Sequence, residues 1–372
     1  MKLFFAGDVV LADGCANQEI LSERLKIVVG GVDVACCNFE APVAEGMKKK
    51  KKVGPNNKNA ITTVPILAHA GFNLVTLANN HIFDFGCDGM QNTIQTLNLN
   101  GIHTVGAGCS NDIIDAPYIA DDGNCTVAII NVAENGFGCA AEDSDSYGYA
   151  YVYAKNLKER IAALKEACKA VIVVCHAGAE MWDIPLPEWR ETYRELIDVG
   201  ADAVVAHHPH VPQGYEKYNN RYIFYSLGNF AFDKGRGPTR PESYTVLITV
   251  EDNIKCEIIP TIFKNGIVDV NDSVEFREHL DWCSSLISDE KTYMEEINKK
   301  CLESYEYYKN CYGKAAVCYR GSVKERLKGI VKRYFMRQSF QDIWLYHNIS
   351  IETHLYVCRR AVRLLLKEKE IL

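Results

Sequence analysis

The chain has 372 residues, 48% hydrophobic and 24% charged, a balance that excludes a collagenous or largely disordered protein. Its length suits one domain of about 250 residues with an appendage, or two near-equal domains. Lys and Arg number 41 against 48 Asp and Glu, a net of −7. Residues 320–372 hold 12 of the former and 5 of the latter, +7, so the first 319 carry −14.

No stretch reaches the ~20 apolar residues that span a bilayer. The opening MKLFFAGDVVLADG is broken by Asp8 and is too short for a secretory leader. The expectation is a chain that begins at Met1 and resides in the cytoplasm. The 15 cysteines are odd in number, scattered from Cys15 to Cys358 and never in a C-x-x-C pair. They read mostly as buried thiols in a reducing compartment rather than as a disulfide scaffold.

In chain order, KLFFAG, VDVACCNF, NLVTLA, CTVAIINVA, AVIVVCHA, DAVVAH and RYIFYSL are nearly continuous apolar runs of strand length. Such runs suit strands buried on both faces. Helical patterns lie between them, at about 17–29, 63–71, 87–100, 155–169 and 188–199, several closed by Gly71, Gly101 or Gly200. The alternation predicts an α/β layered fold. SYTVLITVED and IKCEIIPTIF then read as a hairpin and as the last strands of the body. From about residue 273 the pattern is helical to the end. Ile330, Tyr334, Ile343, Trp344 and Leu345 offer apolar contacts among its basic residues. The five lysines Lys48–Lys52 read as a solvated loop, or as a grip on a polyanion.

The chemistry-capable residues fall where apolar runs stop, the edge at which open α/β sheets bind ligands. Asp8 follows KLFFAG. Asn38 and Glu40 close the second run, and Asn79, Asn80, His81, Asp84 and Gly86 follow the third. His176 ends AVIVVCH, with Glu180 four residues on. His207, His208 and His210 follow DAVVA, and Asn229 follows RYIFYSLG. Carboxylates, an amide and imidazoles together suit Zn²⁺, Mn²⁺ or Fe²⁺ and are too rich in nitrogen for a Ca²⁺ cage. One acid bridging two ions about 3.5–4 Å apart is the arrangement of two-metal hydrolases. His208 and His210, separated by Pro209, can face neighbouring metals.

These motifs resemble, in order and spacing over residues 1–262, those of the CapA-type poly-γ-glutamate capsule synthesis proteins. The matching segments are Gly7-Asp8, Asn38 to Pro42, Leu77 to His81 with Asp84 and Gly86, His176 to Glu180, Gly200 to Gln213, and Tyr225 to Phe230. That family is related to the calcineurin-like metallophosphoesterases. The resemblance implies an α/β, metallophosphoesterase-like two-sheet β-sandwich flanked by helices over residues 1–265, with a helical C-terminal extension over 273–372. It implies that Asp8 and His210 hold one metal, that Asn80, His176 and His208 hold a second, and that Glu40 bridges them. His81, with Asp84, would form the catalytic pair and protonate the leaving group; Glu180 and Asn229 would contact substrate.

The chain departs from ordinary phosphoesterases at Val10, where they carry a histidine, and at Glu40, where they carry aspartate. One firmly held divalent ion, Zn²⁺ or Mn²⁺, and a second weak or absent one are therefore expected. CapA-type proteins are often membrane-anchored, and no anchor is seen here.

The leading expectation is a metal-dependent hydrolase or transferase of capsule or poly-γ-glutamate biosynthesis. It would act at a phosphoryl, amide or peptide centre of a γ-glutamyl or other anionic polymer or peptide. The alternatives are a metal-independent acid–base enzyme on a peptide-like substrate and a non-enzymatic, polymer-binding assembly subunit. Nucleic acid is not an expected partner. The basic tail is expected to dock on the acidic body, with peripheral membrane contact as the rival reading.

Overall fold

A computed structural model describes residues 1–12, 19–141, 147–233, 240–315 and 338–368. The chain forms two compact units: Met1–Lys50 with Asn56–Asp289, and Lys51–Pro55 with Glu290–Leu372.

The first unit is built on two sheets. In one, β1 (Lys2–Leu11) lies between β2 (Val34–Phe39) and β14 (Glu242–Val250). β3 (Leu74–Thr76) and β4 (His103–Val105) extend it on one side; β15 (Ile254–Lys264) and β16 (Ile267–Val270) extend it on the other. β13 (Asn229–Asp233) runs parallel to the far half of β1. The second sheet has the order β11 (Tyr215–Tyr218), β12 (Arg221–Phe224), β10 (Ala203–His207), β9 (Ala170–His176), β7 (Thr126–Ala133) and β6 (Tyr118–Asp121). β5 (Ala107–Gly108) and β8 (Gly148–Tyr149) form a small separate pair. The α/β, two-sheet sandwich flanked by helices that the resemblance implies is present.

The apolar runs build this because successive side chains of a strand point to opposite faces. Leu3, Phe5, Val34 and Cys36 share the core between the sheets with Ile129, Ile172 and Val205. Their neighbours Phe4, Ala6, Ala35 and Cys37 pack outward. There they meet Leu25 and Val29 of α1 (Glu23–Val29), Leu67 of α2 (Thr63–His69), and Met90 and Leu97 of α3 (Gly86–Leu99). After the short α4 (Asn111–Asp115), helices α5 (Leu157–Ala167) and α6 (Pro187–Asp198) lie against β9 and β10. α7 (Val274–Ser288) starts at Ser273, whose Oγ accepts from the Phe276 amide at 3.1 Å. It packs on β11 through Ser284, which accepts from Tyr215 N at 3.1 Å. Strands β7, β9, β10 and β12 run parallel, so their carboxyl ends share one edge.

Three expectations change. The helix foreseen from residue 17 begins at Glu23, because Leu21 is bridged to Val268 and Ser22 caps the helix; residues 17 and 18 lie outside the described residues. The hairpin is not the end of the sheet: Asn265 and Gly266, with φ of 54° and 78°, turn the chain into β16. That Asn-Gly pair is a hairpin signal which the brevity of the following strand hides. Among the described side chains, the thiols are not mostly buried. Of the twelve whose side chains are described, Cys36, Cys37, Cys175, Cys283 and Cys301 are buried and seven are half-buried.

The second unit contains α8 (Glu290–Ala315), α9 (Gln338–Ser350) and α10 (Glu352–Glu368). Tyr293, Ile297, Cys301 and Tyr308 of α8 are buried, as are Val357 and Ala361 of α10. The four-residue spacing of the first three puts them on one helix face. Ile330, Tyr334 and the side chain of Leu345 lie outside the described residues. No described helix is long and apolar enough to cross a membrane.

Candidate metal centre

β1 does not end at Asp8. It continues to Leu11, and its register shifts on both sides of Asp8. The chain is bulged there because Gly7 lies against the neighbouring turn. A Cβ on Gly7 would fall 1.9 Å from the Gly228 carbonyl oxygen, and Asp8 N donates to that same oxygen at 3.1 Å. A bulge re-aims a side chain, and here it turns the Asp8 carboxylate toward the ends of β2 and β10.

Glu40 follows β2, its amide donating to Val9 O at 3.2 Å. Past β3, Asn79 Oδ1 accepts from the amides of His81 (3.2 Å) and Ile82 (2.9 Å), and its Nδ2 donates to Phe39 O at 3.1 Å. Asn79 thus builds the turn that presents Asn80 and His81. After β10, His208 and His210 take φ of 99° and 60° around Pro209. Left-handed backbone at two non-glycine residues costs about 1–3 kcal/mol each and clusters at functional sites.

The side chains converge. His176 Nε2 lies 3.1 Å from Asn80 Oδ1, 3.0 Å from His208 Nδ1 and 3.9 Å from Glu40 Oε1. His210 Nε2 lies 3.5 Å from the same Glu40 oxygen, and its Nδ1 lies 3.3 Å from Asp8 Oδ2. Two donor triads result: Glu40, His176 and His208, and Asp8, Glu40 and His210. Within each, the donor atoms lie within 4.8 Å of one another. Glu40 belongs to both.

Burial sets the electrostatics. His176 is driven well below the ordinary imidazole value by burial first and by the surrounding histidines second. His208 is pulled down to about 4 by burial, which the charge of Glu180 opposes only in part. Burial lowers His207 too, against the pull of Asp8. His210 goes the other way: burial works against its charge, yet Glu40 and Asp8 together push it up to about 9. Asp8 is lowered, since the bonds and charges of His210 and His207 and the Asn38 amide outweigh its desolvation. One triad therefore presents neutral imidazoles, and the other carries its own cation.

His81 stands beside the triads as a separate pair. Its Nδ1 lies 2.8 Å from Asp84 Oδ2, and both residues are buried. Glu180 is exposed at the rim, within electrostatic reach of His208 and His210. Asn229 is buried with its Oδ1 3.1 Å from His210 Nδ1, so it orients that imidazole. Val10 packs with Ala41 and Phe232, a small apolar cluster in which nothing can ligate.

Four residues escape the sequence-derived site. Asn38 Nδ2 donates to Asp8 Oδ1 at 2.7 Å and lies 3.1 Å from His176 Nδ1. His207 Nδ1 is 3.6 Å from Asp8 Oδ1. Asn57 touches His81 Nε2 through its amide nitrogen at 3.0 Å and Asp84 through its backbone amide at 2.6 Å. Glu134 Oε1 accepts from Gly178 N at 3.1 Å and lies 3.7 Å from His208 Nε2. Asn38 and His207 were visible at strand ends, and Glu134 obeys the same rule, immediately following the apolar run of β7. Asn57 lies in a loop with no such marker. Lys50 is drawn into this region: its amide donates to Asp84 O at 2.9 Å and its ammonium sits 4.0 Å from the Phe83 ring centroid.

The donor set fits a divalent cation. Asp8 and Glu40 are fully buried carboxylates facing imidazole nitrogens, and buried charge demands a counter-charge or a metal. Oxygen and imidazole donors together suit Zn²⁺, Mn²⁺ or Fe²⁺.

The family described as bacterial capsule synthesis protein PGA_cap matches residues 2–234. Capsule biosynthesis protein CapA of Bacillus anthracis is 32% identical over 244 residues, covering 63% of this chain and 59% of that protein. PGA biosynthesis protein CapA of Bacillus subtilis (strain 168) is 33% identical over 213 residues, covering 56% and 55%. The chain thus spans less than two thirds of the length of these relatives. Among solved structures, 5'-nucleotidase from Candida albicans SC5314 aligns with a TM-score of 0.44 at 10% identity, over 75% of this chain and 54% of that one.

Proposed function

The chain belongs to the bacterial capsule synthesis family PGA_cap, and from that premise we propose a metal-dependent hydrolase or transferase acting at a phosphoryl, amide or peptide centre of a γ-glutamyl or related anionic polymer. The observation that carries this reading is the pair of donor triads sharing Glu40 next to the His81–Asp84 pair. Glu40, His176, His208 and Asn80 would hold the firm ion; Asp8, His210 and the other share of Glu40 would hold the weaker one. A divalent ion bound there supplies a Lewis acid and a water acidic enough to serve as a nucleophile near neutral pH.

The remaining chemistry belongs to the side chains. His81 directs Nδ1–H at Asp84, which makes Nε2 the atom that exchanges a proton with the leaving group. Asn57 Nδ2 lies 3.0 Å from that nitrogen and marks where a leaving-group atom would stand. Glu180 at the rim and the side-chain amide of Asn229 are the proposed substrate contacts. The cytoplasmic placement belongs to the same proposal and rests on the odd, scattered cysteines of the sequence.

The test is turnover of a chromogenic phosphate ester and of a γ-glutamyl oligopeptide by protein purified without chelator. Turnover of one of them should stop on chelation and return with Zn²⁺ or Mn²⁺. His81→Gln should lower it about 10²–10⁴-fold with the metal content unchanged. Undiminished turnover in metal-stripped protein would overturn the metal assignment.

A further inference from the structure

Two thiols outside the candidate centre face each other within the first unit. Cys87 lies in the first turn of α3, three residues after Asp84, and Cys109 follows β5. Their sulfurs are 3.6 Å apart. Both are half-buried, packed at the edge of the helix-side core yet open to a small reagent. Gln91, one turn further along α3, donates its amide to Cys109 Sγ at 2.9 Å. Two donors can thus converge on Cys109 Sγ, the Gln91 amide and the Cys87 thiol. Burial, with the bond to Cys109 second, raises the Cys87 thiol, which suits it to remain the protonated partner.

We propose that Cys87 and Cys109 are a thiol-oxidation site, closing to a reversible disulfide on reaction with a hydroperoxide. The Cys109 thiolate attacks one peroxide oxygen; the O–O bond breaks, hydroxide leaves and takes up a proton, and Cys109 becomes a sulfenic acid. The Cys87 sulfur then attacks that sulfur; the S–O bond breaks and the hydroxyl leaves with the Cys87 proton as water. Two thiols and one hydrogen peroxide give one disulfide and two waters. The sulfurs must close from 3.6 Å to the ~2.05 Å of a disulfide. The bond would tie the start of α3, and with it the turn carrying His81 and Asp84, to the segment after β5.

The experiment treats the full chain with stoichiometric hydrogen peroxide, alkylates the remaining thiols, and maps chymotryptic peptides by mass spectrometry. A linked Cys87–Cys109 peptide, a loss of two mass units from the intact chain, and full reversal by dithiothreitol are expected. Cys87→Ser should stop at a sulfenic acid on Cys109 that a dimedone probe captures, while Cys109→Ser should leave Cys87 unlabelled. Recovery of the two residues separately alkylated in the treated wild-type protein, or linked to other cysteines, would overturn the assignment.

Discussion

Glu40 is the one residue that both donor triads need. The triads are otherwise unlike, and they should respond differently to substitution. His208→Ala should lose the firm ion, whereas His210→Ala should spare it, as read by metal content per chain after dialysis. Equal losses in the two variants would contradict the asymmetry. Protons should distinguish the triads as well. In the metal-free protein His208 stays neutral down to about 4, so the first ion meets ready ligands across the neutral range. His210 is protonated below about 9, so the second ion must displace that proton. Titrating metal into stripped protein at pH 7.5 should release close to one proton with the second ion and fewer with the first, measured in a weakly buffered solution. Glu134 acts through His208. A carboxylate behind a ligating imidazole typically contributes 10–100-fold in metal affinity. Glu134→Gln should therefore weaken the firm ion by about that factor while leaving the weak one unaffected, as measured by competition with a chelator.

Elements matter here chiefly for the edge they share. The site is assembled where β1 bulges and where β2, β3, β9 and β10 end, and the bulge depends on a residue without a side chain. Gly7→Ala would place a Cβ 1.9 Å from the Gly228 carbonyl oxygen, a backbone atom that cannot swing aside. Overpacking of this kind costs about 1–3 kcal/mol, and the upper end is expected. The urea midpoint should fall accordingly, and metal content should fall with it because Asp8 is displaced. A variant of unchanged stability and full metal content would show that the turn at Gly228 yields easily.

At the scale of the molecule, the same histidines make folding depend on pH. For His208 the folded value of about 4 lies below the ordinary 6.5, so between those values the unfolded chain binds the extra proton. Stability should fall as pH drops from 6.5 toward 4, and His176 acts in the same sense. For His210 the folded value of about 9 lies above 6.5, so its contribution is complete below 6.5 and is lost as pH rises toward 9. His208 and His210 can each shift stability by up to about 3 kcal/mol at 1.36 kcal/mol per unit. Metal-free protein should therefore be most stable near pH 6.5, as read from denaturant midpoints. A midpoint that climbs steadily from pH 6.5 to 9 would refute the raised His210.

The sequence alone determined the layered fold and most of the site, because both follow from local rules. Apolar runs such as AVIVVCH can bury two faces only inside a covered sheet, and parallel strands bring polar residues at their ends to one edge whatever their separation in the chain. Tertiary structure decided what depends on neighbours. Asn57 matters through its contacts with His81 and Asp84, which no spacing in the chain marks, whereas Glu134 stands at a strand end like the other site residues. Asn229 holds His210 rather than facing open solvent, and Asn79 builds a turn rather than joining the donors. The opposite protonation of His208 and His210, two residues apart, was beyond any reading of the sequence. Both are buried, and only the packed structure sets His210 against Asp8 and Glu40 while His208 faces another imidazole.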